Sequence, residues 1–162
     1  RYHEGPTALI LTRQKCPNLH QDGNQWDNNF DKGAYIIMET SDQPDFIIVA
    51  SGSELSISVE AAKRISKEGH TVRVVSIPSF ETFLQQNKQY KDAILPPGDT
   101  KIVCIEAGRS QGWGDITNNP SLIIGIDQYG QSAPGQILAE KFGFTENAVY
   151  NKIKAWLNGA EV

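Results

Sequence analysis

Basic clusters and long apolar runs are both missing from this sequence. Its 162 residues include 15 Lys and Arg against 19 Asp and Glu, so the net charge is −4, and the basic residues are scattered. Nucleic-acid and anionic-membrane surfaces need concentrated positive charge, so we expect neither as a partner. Apolar runs stay well below the roughly 20 residues that a membrane-spanning helix requires. We therefore expect a soluble globular chain.

Cysteine and histidine are scarce and badly spaced for metal binding. The two cysteines are Cys16, in a polar stretch, and Cys104, inside an apolar run. We expect two unpaired thiols in a reducing compartment. His3, His20 and His70 have no ligand spacing among themselves or with the cysteines, so the sequence predicts no metal site within this chain.

An initiator methionine is absent, and residues 1–6 resemble neither a secretory signal nor a transit peptide. Residues 7–12 have a strand pattern, whereas residues 16–30 are polar and lack both periodicities. We expect residues 1–31 to be the tail of a preceding domain with its linker, and residues 32–162 to be the domain proper. The 7–12 strand should pair with a sheet edge or pack as an extended arm, because its backbone groups need partners.

A strand–helix–strand unit forms the centre of the chain. Residues 46–50 are continuously apolar, which is typical of a strand buried on both faces. Apolar residues then recur at helical spacing up to Gly69, and residues 72–77 form a second β-branched strand. Ser51, followed three residues later by Glu54, fits a capping box. This spacing predicts a right-handed βαβ unit with parallel strands.

Further strand and helix patterns follow the same alternation. Residues 34–38, 101–107 and 122–126 read as strands. Candidate helix caps precede three helical patterns, at Ser79, Ser132 and Thr145. The order predicts an α/β fold with helices on both faces of a mostly parallel sheet. Functional residues on such folds lie past the carboxyl ends of strands.

Five residues that follow strand patterns are candidates for chemistry. Ser51, Gly52 and Ser53 lie between a strand and a helix, where free backbone N–H groups could hold a small anion, although no phosphate-binding fingerprint is present and ordinary capping is the favoured interpretation. Glu106 and Asp127 follow two other strands and could act as a general acid and base. A structural role in binding loop amides or capping helices is favoured for both.

Arg13 and Trp113 are the remaining candidates. A guanidinium after a buried strand can bind phosphate or carboxylate in a bidentate manner, and from the residues alone a salt bridge is the favoured interpretation of Arg13. Trp113 lies between two glycines and is expected to anchor a loop or an interface. The residues alone indicate no activated nucleophile, metal cluster or cofactor cradle.

Several blocks of sequence resemble one enzyme family, the transketolases. GPTALILTRQ at 5–14 resembles the closing strand of their pyrimidine-binding domain, and KGAY at 32–35 resembles the start of their third domain. The later blocks are ASGSE at 50–54, VRVVSIPS at 72–79, EAG at 106–108 and GIDQYGQSAP at 125–134. These are similar to the family's ATGSE, VRVVSMPS, EAG and GIDxFGxSAP patterns, in the family's order.

The resemblance implies a fold and a function. It implies a three-layer α/β/α sandwich with a mostly parallel five-stranded sheet, in which the strand at 34–38 is antiparallel. It also implies a cytoplasmic homodimer that transfers a two-carbon ketol unit from a ketose phosphate to an aldose phosphate. Thiamine diphosphate and Mg²⁺ or Ca²⁺ would be bound by domains that this chain does not contain.

Residue by residue, only one functional position is implied. Arg13 resembles the arginine that binds the substrate's phosphate, and no catalytic residue is expected in this chain. The isolated chain is expected to be inactive, with a structural role at a dimer interface. Asp22-Gly23-Asn24 lacks the strand and spacing of the family's cofactor-binding GDG motif and is rejected as a substitute.

Two alternatives remain open at this point. The chain could be a free-standing module for assembly or for binding a small anion at residues 51–54. It could also be the corresponding domain of dihydroxyacetone synthase or deoxyxylulose-phosphate synthase.

Overall fold

The computed structural model describes residues 8–19, 29–117 and 121–160. Within these ranges, no helix is both long enough and apolar enough to cross a bilayer. His3, His20 and the Asp22-Gly23-Asn24 segment lie outside the described residues.

One mixed sheet organises the described chain. Its five strands are β1 (Tyr35–Glu39), β2 (Phe46–Ala50), β3 (Val72–Ser76), β4 (Lys101–Ile105) and β5 (Ser121–Ile124). They lie side by side in the order β1-β3-β2-β4-β5. β1 pairs with β3 in the antiparallel sense, and the other pairs are parallel. The predicted mostly parallel sheet with one antiparallel strand is therefore confirmed.

Helices cover both faces of this sheet. They are α1 (Glu54–Ser66), α2 (Phe80–Leu84), α3 (Lys88–Ile94), α4 (Gly135–Phe142) and α5 (Glu146–Leu157), with 3₁₀ turns at Phe30–Lys32 and Trp113–Asp115. Side chains alternate along each strand, so successive residues enter different core layers. Ile48 packs in the layer that contains α1 and α5, whereas Ile47 and Val49 pack in the layer that contains Phe83 and Ile94. The three-layer α/β/α architecture is confirmed.

Two of the four predicted helix caps are present. Ser79 accepts a hydrogen bond from the Thr82 amide, and Thr145 accepts one from the Ala148 amide. Ser132 is not a cap, because α4 begins at Gly135 with Pro134 in the capping position. Proline has a fixed φ that suits the start of a helix, so it displaces the serine from that role.

The capping box predicted for Ser51 and Glu54 is wrong. Ser53 precedes the helix, and it makes no side-chain capping hydrogen bond. The Ser51 hydroxyl instead donates to Glu106, and the Glu54 carboxylate accepts from the Ser53 hydroxyl. Both side chains of the supposed box therefore have partners other than the helix amides.

The strand predicted at residues 7–12 is also wrong for its described part. Residues 8–12 form no strand. Leu9, Ile10 and Leu11 are 80%, 92% and 74% exposed. An isolated strand cannot satisfy its own N–H and C=O groups, and no strand of the described sheet pairs with this segment.

Candidate functional site

The connections of the sheet reverse direction between β2 and β4. The chain leaves β2 through α1 to reach β3 on one side, and later returns through α2 and α3 to β4 on the other side of β2. The carboxyl ends of two such strands leave a crevice between their outgoing loops, where α/β proteins bind ligands. We call this place the switch point. The residues that follow the two strands are Ser51 and Glu106.

A hydrogen bond joins these two residues across the switch point. The Ser51 Oγ donates to Oε2 of Glu106 over 2.5 Å. Burial raises the pKa of the Glu106 carboxyl above its usual range, the Ser51 hydrogen bond opposes that shift, and the negative charge of Glu54 adds to it. The switch point is therefore a partly buried, acidic environment.

The carboxylate of Glu54 is the second acidic group here. Glu54 is only 9% exposed, and its Oε1 accepts from the Ser53 Oγ over 2.8 Å. The N-terminus of α1 favours a negative charge at this position, which explains why an acidic residue is tolerated there.

The anion site predicted at Ser51, Gly52 and Ser53 stays a prediction. The hydrogen bonds around it bear on how an anion could bind there. Both serine hydroxyls already donate to carboxylates, one to Glu106 and one to Glu54. Each carboxylate would repel an incoming anion, although the backbone N–H groups of the turn remain at the helix start. The sequence pattern shows the turn but not the Glu106 carboxylate, which follows β4 and lies across it.

Asp127 binds the loop that follows β4. Its Oδ1 accepts from the Ser110 amide over 3.1 Å. Hydrogen bonding from the Ser110 side chain and amide lowers the pKa of Asp127, and the positive charge of Arg109 adds to this effect. Among the described residues no hydrogen bond or ion pair joins Asp127 to Glu106, and each carboxylate has a partner of its own, Ser110 for Asp127 and Ser51 for Glu106.

A cavity of about 340 Å³ lies beside the switch point. Its walls come from the start of α1, the loop after β4, the loop before α4, and α4 itself. They include Glu54, Ile57, Ala107, Gly130, Leu138 and Phe142. Gln14 from the N-terminal segment also reaches it. We call this the switch-point cavity, and sequence reasoning missed it because its walls are far apart in the chain.

Arg13 directly precedes Gln14, which lines the switch-point cavity, but Arg13 itself is not part of the lining. Its side chain is exposed, and within the described residues no carboxylate pairs with it. The salt bridge favoured from sequence is therefore not formed in this part of the chain, and the guanidinium is accessible.

Trp113 anchors its loop, which is one of the two roles predicted for it from the sequence. It is 3% exposed, and its ring meets that of Phe80 edge-on with centroids 4.7 Å apart. The buried indole fixes the loop after β4 against the α2 side of the sheet.

Thiols and metal ligands are dispersed over the described residues. Cys16 is exposed and Cys104 is buried, and both are free thiols as predicted. Burial raises the pKa of Cys104 to about 12. Across residues 8–19, 29–117 and 121–160, no three His, Cys, Asp or Glu side chains are grouped as metal ligands.

Comparisons with known proteins point to one family. The family described as "Transketolase-like TK C-terminal domain" matches residues 33–145. A transketolase from Staphylococcus epidermidis is 41% identical over 150 residues, which are 93% of this chain and 23% of that protein. One from Bacillus subtilis is 40% identical over 154 residues, which are 94% of this chain and 23% of that protein.

Solved structures agree with the sequence match. The transketolase from Leishmania mexicana superposes with a TM-score of 0.71 at 38% identity, covering 82% of this chain and 19% of that one. This chain thus spans about a quarter of the length of the curated relatives it matches.

Proposed function

Since the chain belongs to the transketolase family through the C-terminal domain that its residues 33–145 match, we propose that it works as the third domain of a transketolase. The complete enzyme transfers a two-carbon ketol unit from a ketose phosphate to an aldose phosphate. The observation that carries this proposal is the match of 93% of the chain to about a quarter of a transketolase at 41% identity.

The residues described here do not fit the cofactor that the family implies. Thiamine diphosphate and Mg²⁺ or Ca²⁺ need a set of metal ligands and a cradle for a diphosphate. The described residues hold no group of three potential metal ligands, and the turn at the switch point faces Glu54 and Glu106. Our proposal therefore locates cofactor binding in the parts of a transketolase that this chain does not match.

Residues 1–31 are proposed to be the end of the preceding domain with its linker, and residues 32–162 to be the third domain. The exposed Leu9, Ile10 and Leu11 support this division, because three consecutive large apolar side chains require a covering surface. In this arrangement Arg13 would bind the phosphate of the sugar substrate, and its exposed guanidinium, which has no carboxylate partner among the described residues, is suited to a bidentate contact.

Assembly as a homodimer in the cytoplasm completes the proposal. Residues 127–137 form a continuous exposed stretch, in which Tyr129 is 97% exposed and Ile137 is 53% exposed. Large exposed side chains of this kind are typical anchors of protein interfaces. They support docking against the rest of the enzyme or against a second subunit.

An assay of the isolated chain tests the proposal that the cofactor binds outside this chain. The purified chain is mixed with thiamine diphosphate, Mg²⁺, xylulose 5-phosphate and ribose 5-phosphate, and formation of the seven-carbon product is followed. We expect a rate equal to that of the mixture without protein. Turnover above that background would contradict the placement of the cofactor outside this chain.

A further inference from the structure

The switch-point cavity has the size and composition of a small-molecule site. Its volume of about 340 Å³ is at the lower end of the range for such sites. Its apolar walls are formed by Ile57, Ile126, Leu138, Ala139, Phe142 and Phe144. Sites of this kind combine an apolar lining with a few well-placed polar groups that orient the ligand.

Glu54 supplies the decisive polar group. Its side chain lines the cavity while the residue is 9% exposed. Oε1 accepts from Ser53, but no described residue donates to Oε2. Every fully buried side-chain nitrogen and oxygen of the described chain has a hydrogen-bond partner, so Oε2, for which no described residue is a donor, is not fully buried. A carboxylate oxygen of a cavity-lining residue that has no donor among the described residues can accept a hydrogen bond from a ligand.

The charge around the cavity selects the kind of donor. No Lys, Arg or His belongs to the described lining, and Glu106 adds a second carboxylate close to Glu54. An anionic ligand would meet two like charges, whereas a cationic group would gain a charge-assisted hydrogen bond to Glu54. The apolar walls would in turn cover the organic part of such a molecule.

We propose that the switch-point cavity binds a small organic cation, whose ammonium or guanidinium group contacts Glu54 and whose body packs on Ile57, Leu138 and Phe142. The proposal does not depend on the enzyme to which the domain belongs, because all of these residues lie in this chain. It concerns a free small molecule. An occupant would also contact Gln14, so that binding reaches the residue next to Arg13.

Backbone-amide NMR on the isotope-labelled 162-residue chain tests this site. The probes are benzylamine and phenylguanidine, with benzyl alcohol as the neutral control and benzoate as the anionic control. We expect both cations to shift the amide signals of Gln14, Ala107 and Leu138 in a saturable way. Benzyl alcohol should bind about tenfold more weakly, because it lacks the charge-assisted bond, and benzoate should give no saturable shift.

Matched variants separate the two parts of the site. Glu54→Gln should weaken benzylamine binding about tenfold, whereas Glu60→Gln, on the exposed part of the same helix, should leave it unchanged. Leu138→Trp should abolish binding by filling the cavity while it retains both carboxylates. The proposal is overturned if the folded chain shows no saturable shift with either cation, if benzoate or benzyl alcohol binds as tightly as benzylamine, or if Glu54→Gln binds like the parent chain.

Discussion

The Ser51 hydroxyl donates to Oε2 of Glu106 over 2.5 Å and thereby joins the ends of two neighbouring parallel strands that are 55 residues apart in sequence. This bond lies where the chain reverses its winding, at the place where α/β sheets open a crevice. It withdraws the serine from the helix start and holds a partly buried carboxyl next to Glu54. The carboxyl groups of Glu106 and Glu54 together make the switch point acidic.

Replacing Glu106 should change how stability depends on pH. Burial raises the pKa of Glu106 above the usual 4.5 in the folded chain, so the folded state holds this proton more tightly than the unfolded state. The carboxyl therefore costs stability as the pH rises above 4.5. We expect Glu106→Gln, which can still accept from Ser51, to be more stable than the parent at pH 7, with the difference vanishing well below pH 4.5.

Asp127 provides a control of opposite sign for the same measurement. Hydrogen bonds from Ser110 lower its folded pKa below 3.8, so its stabilising contribution is present above that pH and is lost as the pH falls through the folded value. Asp127→Asn should therefore be less stable than the parent at pH 7 and similar to it in strong acid. Urea unfolding across the pH range measures both differences, and equal signs for the two variants would contradict this assignment.

Gly33 should not tolerate alanine. Its φ is +86°, and an added Cβ would lie 2.5 Å from both the Phe83 nitrogen and the Ser79 oxygen. Backbone strain and the steric clash together should cost about 3 kcal/mol of unfolding free energy. Gly69 has a φ of +98° with open space around it, so Gly69→Ala should cost only about 1 kcal/mol. Chemical denaturation measures the unfolding free energy that each variant loses. Equal losses would show that the clash at Gly33 is relieved.

The central βαβ unit could be predicted from sequence, whereas the contacts at its ends could not. The continuous apolar run of β2 and the helical period of α1 are local signals. By contrast, Arg73 occurs in a β-branched run and is 6% exposed, and its burial depends on Glu39 and on the carbonyls of Ala93 and Ile94, which are distant in sequence. Ser51 misled the capping prediction for the same reason.

The strand prediction for the N-terminal segment was wrong because no partner strand is available among the described residues. Residues 8–12 have the composition of a strand, but strand formation requires a neighbour, and the described chain offers none to them. The switch-point cavity was also beyond sequence reasoning, because Gln14, Glu54 and Leu138 meet only in the folded chain. Local sequence patterns could therefore be predicted, whereas features that depend on contacts between distant residues were missed.

Arg13 can be tested in a complete enzyme that carries this chain in place of the matching 154 residues of the Bacillus subtilis transketolase. Arg13→Leu should raise KM for the sugar phosphates about tenfold or more, with a smaller effect on kcat, because a charge-assisted contact to the phosphate is lost. Lys15→Leu removes a neighbouring exposed positive charge and should leave KM nearly unchanged. A similar rise in KM for both variants would mean that general electrostatics, rather than Arg13, attracts the phosphate.

The activity of that same chimera is the most direct test of the central claim, which is that this chain works as the third domain of a transketolase. Ketol transfer from xylulose 5-phosphate to ribose 5-phosphate is measured for the chimera, for the parent Bacillus subtilis enzyme, and for the parent enzyme without the 154 residues that match this chain. We predict that the chimera is dimeric and transfers the ketol unit at a rate within about tenfold of the parent, which corresponds to about 1.4 kcal/mol in barrier height. A folded, dimeric chimera that is no more active than the truncated parent would contradict the claim.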